Sequence, residues 1–171
     1  MQSLSMNEVT TYRWSFEQDV DNFQDAGYEA IGVWLQKLLD YGEDQAIDLV
    51  ARSDLHVSNV VWAGGFTGSD GRPREECLSD TIHALRISAA LGADCLVTYA
   101  GGRNHHTMRH AQRLLCDALD ELLPIAEITE VPLAIEPMHP ACAAGWTFLT
   151  DLNATLDLLD TYNSPYLQLA L

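Results

Sequence analysis

The sequence predicts an α/β fold built on parallel strands, and three observations predict it. First, short apolar runs alternate with helical patterns along the whole chain. Comparable points in successive runs, Ala30, Val57, Cys95, Leu133 and Leu167, lie 27, 38, 38 and 34 residues apart, the rhythm of a repeated βα unit. Second, runs such as Leu133-Ala134-Ile135 lack the polar alternation of a half-exposed strand and suit a sheet covered on both faces. Third, the elaborate connections fall on one side only. Gly64–Arg74, Gly101–Thr107 and Pro137–Trp146 are long, polar and follow strands, whereas Leu91–Asp94 and Thr129–Pro132 are short and precede them. An open doubly wound sheet is complete with five or six strands, and a (β/α)8 barrel needs eight and ~250 residues. Counting favours the open sheet. Loops gathered on one rim favour a barrel. The expected fold is a partial (β/α)8 barrel of about six of the eight βα units, one domain over residues 1–171, with the open doubly wound sheet as the alternative.

In chain order, Leu4–Thr11 is a weak first strand and Trp14–Ala26 an amphipathic helix with Ser15 as its N-cap. Ala30–Trp34 and Val57–Trp62 read as strands, separated by a helix over Glu43–Arg52 that groups Ala46, Ile47 and Val50. Pro73–Leu91 opens with proline near its first turn and carries Leu78, Ile82, Leu85 and Ala89 at helical spacing. Cys95–Ala100 is the next strand. His106–Thr129 follows with the stripe Ala111, Leu115, Ala118, Leu122 and Ile125, and Pro124 is expected to kink or break it. Leu133–Glu136 is a strand that Pro137 must end, because proline cannot donate to a ladder. Leu149–Tyr162 is helical and Tyr166–Leu171 is the last strand. Gly27, Gly92 and Asn163 stand just before strands, where a left-handed residue ends a helix.

Composition narrows the function. Nine basic residues against 25 acidic ones give a formal charge of −16. That weighs against nucleic acid, whose binding depends on Lys and Arg neutralising phosphates, and is no obstacle to a sugar or a divalent cation. No run approaches the ~20 apolar residues of a membrane span, so no membrane partner is expected. Met1–Met6 lacks a signal pattern, and a cytoplasmic location is expected. Cys77, Cys95, Cys116 and Cys142 are scattered, without a Cys-x-x-Cys pair, and read as reduced buried thiols.

The chemistry-bearing residues cluster after strands. Glu136 stands at the C-terminal tip of a buried strand, where α/β folds place their chemistry; the plainer reading is an acid that caps a neighbouring helix. Gly101-Gly102-Arg103-Asn104-His105-His106-Thr107 sets a cation, two imidazoles and an amide at one strand end, a density that favours ligand contact by Arg103 and His106. Gly64-Gly65-Phe66-Thr67-Gly68-Ser69-Asp70-Gly71-Arg72 follows a strand, yet its spacing fits neither phosphate-binding glycine motif, so rim loop and ligand contact stand level. Trp34 and Trp62 end strands and serve either as a wall for a sugar's carbon face or as core filling. His139 either binds substrate or holds Glu136. His110, one turn past His106, packs beneath it, and His56 and His83 are structural. No Ser-His-Asp arrangement stands out, and Ser88 in mid-helix is not a nucleophile.

Glu136-Pro137-Met138-His139-Pro140, with Ala143-Ala144-Gly145-Trp146-Thr147-Phe148-Leu149-Thr150 after it, resembles the sugar phosphate isomerase/epimerase family with the xylose isomerase-like TIM barrel. The glycine-rich stretches from Gly64 and Gly101 look like that family's third and fourth strand loops. The likeness runs from about Thr10 to Leu171. It implies proton transfer next to the carbonyl of a sugar, sugar phosphate or related polyol, assisted by a divalent metal (Mn, Mg, Co or Zn). Glu136 would be the first of four metal ligands and a catalytic acid–base group. Arg103, His106, His139, Trp34 and Trp62 would contact substrate. The same resemblance places the second ligand, an Asp, immediately after Tyr166–Leu171, and a His and a Glu later still. The expectation is therefore a C-terminally truncated member, inactive alone, whose exposed sixth-strand edge aggregates or forms a homodimer. A non-catalytic sugar-binding or regulatory module is one alternative. An abasic-site endonuclease-like barrel is another, disfavoured by the acidity.

Overall fold

Six strands line up side by side in chain order, every neighbouring pair parallel: β1 (Ser5–Asn7), β2 (Ala30–Trp34), β3 (His56–Gly64), β4 (Leu96–Tyr99), β5 (Leu133–Ile135) and β6 (Leu167–Leu169). They are seen in a computed structural model that describes residues 4–171. The crossovers carry α1 (Phe16–Asp25), α2 (Leu35–Tyr41), α3 (Glu43–Arg52), α4 (Arg74–Leu91), α5 (Met108–Thr129) and α6 (Leu152–Tyr162). A doubly wound sheet reverses its strand order at a switch point. This sheet never reverses, which rules out that alternative and gives the pattern of a (β/α)8 barrel with six of its eight βα units. Among the described residues, β1 and β6 each keep one unpaired edge.

The period of two along each strand separates two faces. On the helix side, Val33, Val57, Leu96, Leu133, Ile135 and Leu167 pack against Phe16, Phe23, Leu38, Leu85, Leu115 and Leu119 in one continuous core. Burying each large side chain contributes about 1.5–3 kcal/mol, so this layer dominates the stability. The other face is thinner. Val61, Val97 and Ala134 lie in one row across β3, β4 and β5, with Val9, Trp34, Trp62, Cys95 and Ala170 against them. Below that row the Asn7 amide donates to Asn59 Oδ1 (3.3 Å) across Gly32, where a Cβ would come within 2.6 Å of Asn7 Nδ2. Gly32 is the space that lets these two amides meet.

Local signals explain most element ends. Ser15 and Gln18 form a reciprocal capping box at α1. Gly92 and Asn163 end α4 and α6 in the left-handed conformation, and Gly27, with φ of 82°, follows α1. One expected break is absent and one helix was not expected. Pro124 does not end α5, which runs as one α-helix from Met108 to Thr129. Leu119 and Leu122 before the proline and Ala126 after it are all fully buried, and that packing outweighs the ~3 kcal/mol cost of an interior proline. α2 occupies a stretch with no expected helix; it starts straight from Trp34, without a side-chain cap to announce it. All four cysteines are free, as expected, but only Cys77 is fully buried.

Candidate functional site

Glu136 sits one residue past β5, where its N–H still donates to Thr98 O (3.0 Å). That ladder bond fixes the backbone and presents the half-buried carboxylate at the strand tips. Trp62 reaches it from β3, and its Nε1–H donates to Glu136 Oε2 at 2.9 Å. A hydrogen bond to an ionised acceptor is roughly twice as strong as a neutral one, and it orients the carboxylate. The Trp62 ring lies 5.6 Å from that of Trp146, which lies 5.4 Å from Tyr99 at 65°, edge to face. Trp146 comes from the long connection after β5. It is held there because Gly101 N–H donates to Trp146 O (3.0 Å) and Phe148 N–H to Gly101 O (2.8 Å). Trp62 separates two hollows. One of about 380 Å³ includes Glu136, Asn7, Asn59 and Gln168. The other, of about 330 Å³, includes Trp34, Tyr99, Arg72 and Trp146.

Two charge networks hold the rim around these hollows. In the loop after β3, Arg72 pairs with Asp70 (2.7 Å) and Asp80 (2.8 Å) and donates to Gly64 O (3.2 Å). Burial raises the Asp70 carboxyl, but the hydrogen bonds and charge of Arg72 outweigh it and hold the group below the ordinary carboxylate range. Burial also pushes the Tyr99 phenol up, against the pull of Arg72. The second network lies at the C-terminal ends of β1 and β2. Lys37 Nζ donates to the Asp19 carboxylate, to Thr11 O (2.9 Å) and to Glu8 O (3.3 Å). Thr11 Oγ1 donates to Asp19 (2.6 Å), and Glu8 Oε2 accepts the Trp34 N–H (2.7 Å). Glu8 and Asp19 are completely buried, and Glu8 Oε1 has no partner among the described residues. Burial is the largest influence on Glu8 and neighbouring Asp19 adds to it. Together they outweigh the Trp34 N–H and Lys37 and push the carboxyl up to about 8. Glu8, Asp19, Lys37 and Tyr99 were not picked out from the sequence, and Trp146 only as part of the stretch that carries the family resemblance. Their partners come from other elements of the fold, and no local pattern displays them.

The expected site residues divide. Trp62 and Glu136 touch, and Trp34 borders the hollow on the far side of Trp62. Arg103, His106 and His139 are elsewhere. Arg103 is exposed and lines a third hollow, of about 670 Å³, that shares no residue with the other two. His106 Nε2 lies 3.3 Å from Thr67 O, and its ring stacks edge-on against His110 at 4.6 Å. His139 Nδ1 accepts the Ala141 N–H (3.2 Å), capping the short turn Pro140–Cys142. His56 and His83 form surface pairs with Asp94 and Glu43. A bound divalent metal needs several oxygen or imidazole donors converging on one point. Among the described residues no three His, Cys, Asp or Glu side chains converge in that way. Glu136 by itself therefore does not fit a metal centre.

A strand-order barrel with a carboxylate and an aromatic wall at the strand tips defines a class of protein. The particular family follows from comparison: the chain belongs to the xylose isomerase-like TIM barrel family, whose model matches residues 20–171. Among solved structures, a protein from Sinorhizobium meliloti is 32% identical, with a TM-score of 0.90 over 99% of this chain and 62% of that one. The IolI protein with a bound zinc atom is 20% identical, with a TM-score of 0.81 over 98% of this chain and 62% of its own. A D-allulose 3-epimerase from Methylomonas, in complex with D-allulose, is 16% identical, with a TM-score of 0.75 over 98% and 61%. The chain thus spans about three fifths of the length of these structures. A search of curated proteins finds no match. No helix of the described residues is long and apolar enough to cross a membrane.

Proposed function

We propose that the protein binds a sugar or related polyol at Glu136 and is of the isomerase/epimerase type, which moves a proton next to a carbonyl. The contact between Trp62 Nε1 and Glu136 Oε2 is the observation that supports it best. That bond occupies one carboxylate oxygen and leaves the other to accept a hydroxyl or take a proton from carbon. Trp62, Trp146 and Tyr99 offer ring faces and edges to the C–H side of a pyranose or open-chain polyol. The metal assistance that the family resemblance implies needs donors beyond Glu136, and no step is routed through it. Arg103, His106 and His139 are not given substrate contacts in this reading, because their side chains serve other hollows and caps.

The chain is accordingly expected to bind polyols weakly. Titration with D-allulose, followed by indole N–H resonances in an NMR spectrum, should shift the Trp62 signal saturably. Glu136→Gln should weaken that binding about tenfold, as expected for loss of a charge-assisted contact. Unperturbed Trp62 and equal affinity in the variant would refute the site. A second reading, a non-catalytic polyol-binding module, draws on the lack of a converging ligand set. Incubation in D2O with added Mn²⁺ separates the two: incorporation of deuterium at carbon supports catalysis, and saturable binding without it supports the module. An endonuclease reading is disfavoured by the charge of −16.

A further inference from the structure

We infer that the rim carries a second ligand site, centred on Arg103, for a small organic anion such as a phosphorylated sugar or polyol. Charge is sharply segregated in this acidic chain. Between Cys95 and Cys116 there is no Asp or Glu, although the chain has 25 of them, while Arg103, Arg109, Arg113, His105, His106 and His110 all fall there. At the head of this stretch is the hollow of about 670 Å³, bordered by Arg103, Asn104, His105, Ser69, Thr150 and Phe148. Arg103 forms no ion pair with any described residue, and the same holds for Arg109 and Arg113 in this stretch, whereas Lys37, Arg72 and Arg74 are paired.

The walls are held in place from below. Asn104 Nδ2 donates to Thr67 O (3.3 Å) and Gly68 O (3.0 Å), and Ser69 Oγ accepts the Gly102 N–H (2.8 Å). These bonds tie the loop after β3 to the loop after β4, so the hollow exists before any ligand arrives. Phe148 is 6% exposed and supplies an apolar floor for the carbon part of a ligand. The volume is in the range of small-molecule sites, ~300–1,000 Å³. A polyanion as long as nucleic acid would meet the acidic remainder of the surface, whereas a single small anion meets only this stretch. The site shares no lining residue with the hollows beside Trp62, so it stands or falls independently of the polyol reading at Glu136.

The test uses the full chain titrated by isothermal calorimetry and NMR with inorganic phosphate, ribose 5-phosphate and unphosphorylated ribose. Both phosphates should bind saturably and shift Arg103–Thr107 amides, with ribose 5-phosphate the tighter because its sugar reaches the Phe148 floor. Phosphate binding without that preference would refute the organic ligand and leave a bare oxyanion site. Arg103→Ala, an exposed position that should leave the fold intact, should weaken binding at least tenfold, and Glu136→Gln should leave it unchanged. Non-saturable shifts, or equal affinity in Arg103→Ala, would overturn the proposal. Ribose binding as tightly as its phosphate at these amides would overturn it as well.

Discussion

Replacing Glu8 by glutamine should make the fold more stable at neutral and alkaline pH. Glu8 is fully buried and its carboxyl is pushed from an ordinary 4.5 up to about 8. Between those values the folded chain holds a proton that the unfolded chain has released. Stability falls with rising pH wherever the folded state binds more protons, so this group's contribution is complete below about 4.5 and is lost as the pH rises toward about 8. Each unit inside the window is worth about 1.4 kcal/mol, which makes the loss between pH 5 and 7.5 on the order of 3 kcal/mol. Interaction with Asp19 and Lys37 makes that an upper figure. In the Glu8→Gln variant the amide oxygen would remain an acceptor for the Trp34 N–H, with no charge to bury. Urea unfolding followed by tryptophan fluorescence at pH 5, 6, 7 and 8 measures the effect. The other carboxylates contribute a pH dependence common to both proteins, so the difference between the two curves is the quantity of interest. It should grow with pH in favour of the variant. Parallel curves would show that Glu8 is ionised in the folded protein and would refute the reasoning.

The other predictions are briefer. Lys37→Met leaves buried Asp19 without its cation and should destabilise the fold by about 3–5 kcal/mol in the same urea assay. Gly64→Ala should be at least as damaging, since φ is 138° and a Cβ would lie 2.1 Å from Tyr99 O; little soluble folded protein is expected by circular dichroism. Trp62→Phe keeps the ring but removes the N–H to Glu136, so polyol affinity should drop several-fold while the unfolding midpoint moves little.

Much of the fold was legible because it depends on local period and punctuation. Unalternated apolar runs marked the middle of β2, β3, β4 and β5, and Ser15, Gly92 and Asn163 marked helix ends through backbone requirements that a sequence displays directly. The continuity of α5 through Pro124 and the existence of α2 were not legible, because tertiary burial, which no local window contains, bears on both. The site follows the same division. Glu136 was legible as an acid at the end of an apolar run. Its association with Trp62 was not, since two residues 74 positions apart meet only after β4 has been laid between their strands. Arg103 and His106 looked equivalent in the string. The fold separates them, turning the imidazole toward Thr67 O and leaving the guanidinium at the edge of a hollow.

That separation explains how an acidic protein keeps a cation ready for a ligand. Three cations stand near the strand tips, and two are committed to the scaffold. Lys37 holds α1 and α2 to the turn after β1 through Asp19 and two carbonyls, and Arg72 closes the loop after β3 on Asp70, Asp80 and Gly64 O. Arg103 has no such partner: its segment, from Cys95 to Cys116, carries no acid, and Ser69, Asn104 and Thr150, which line the same hollow, are uncharged. Moving one carboxylate into that wall tests the point directly. Thr150→Glu should pair with Arg103, leave the unfolding midpoint within ~0.5 kcal/mol as surface pairs do, and abolish phosphate binding. If phosphate still binds that variant with unchanged affinity, the uncommitted charge of Arg103 is not what the hollow offers.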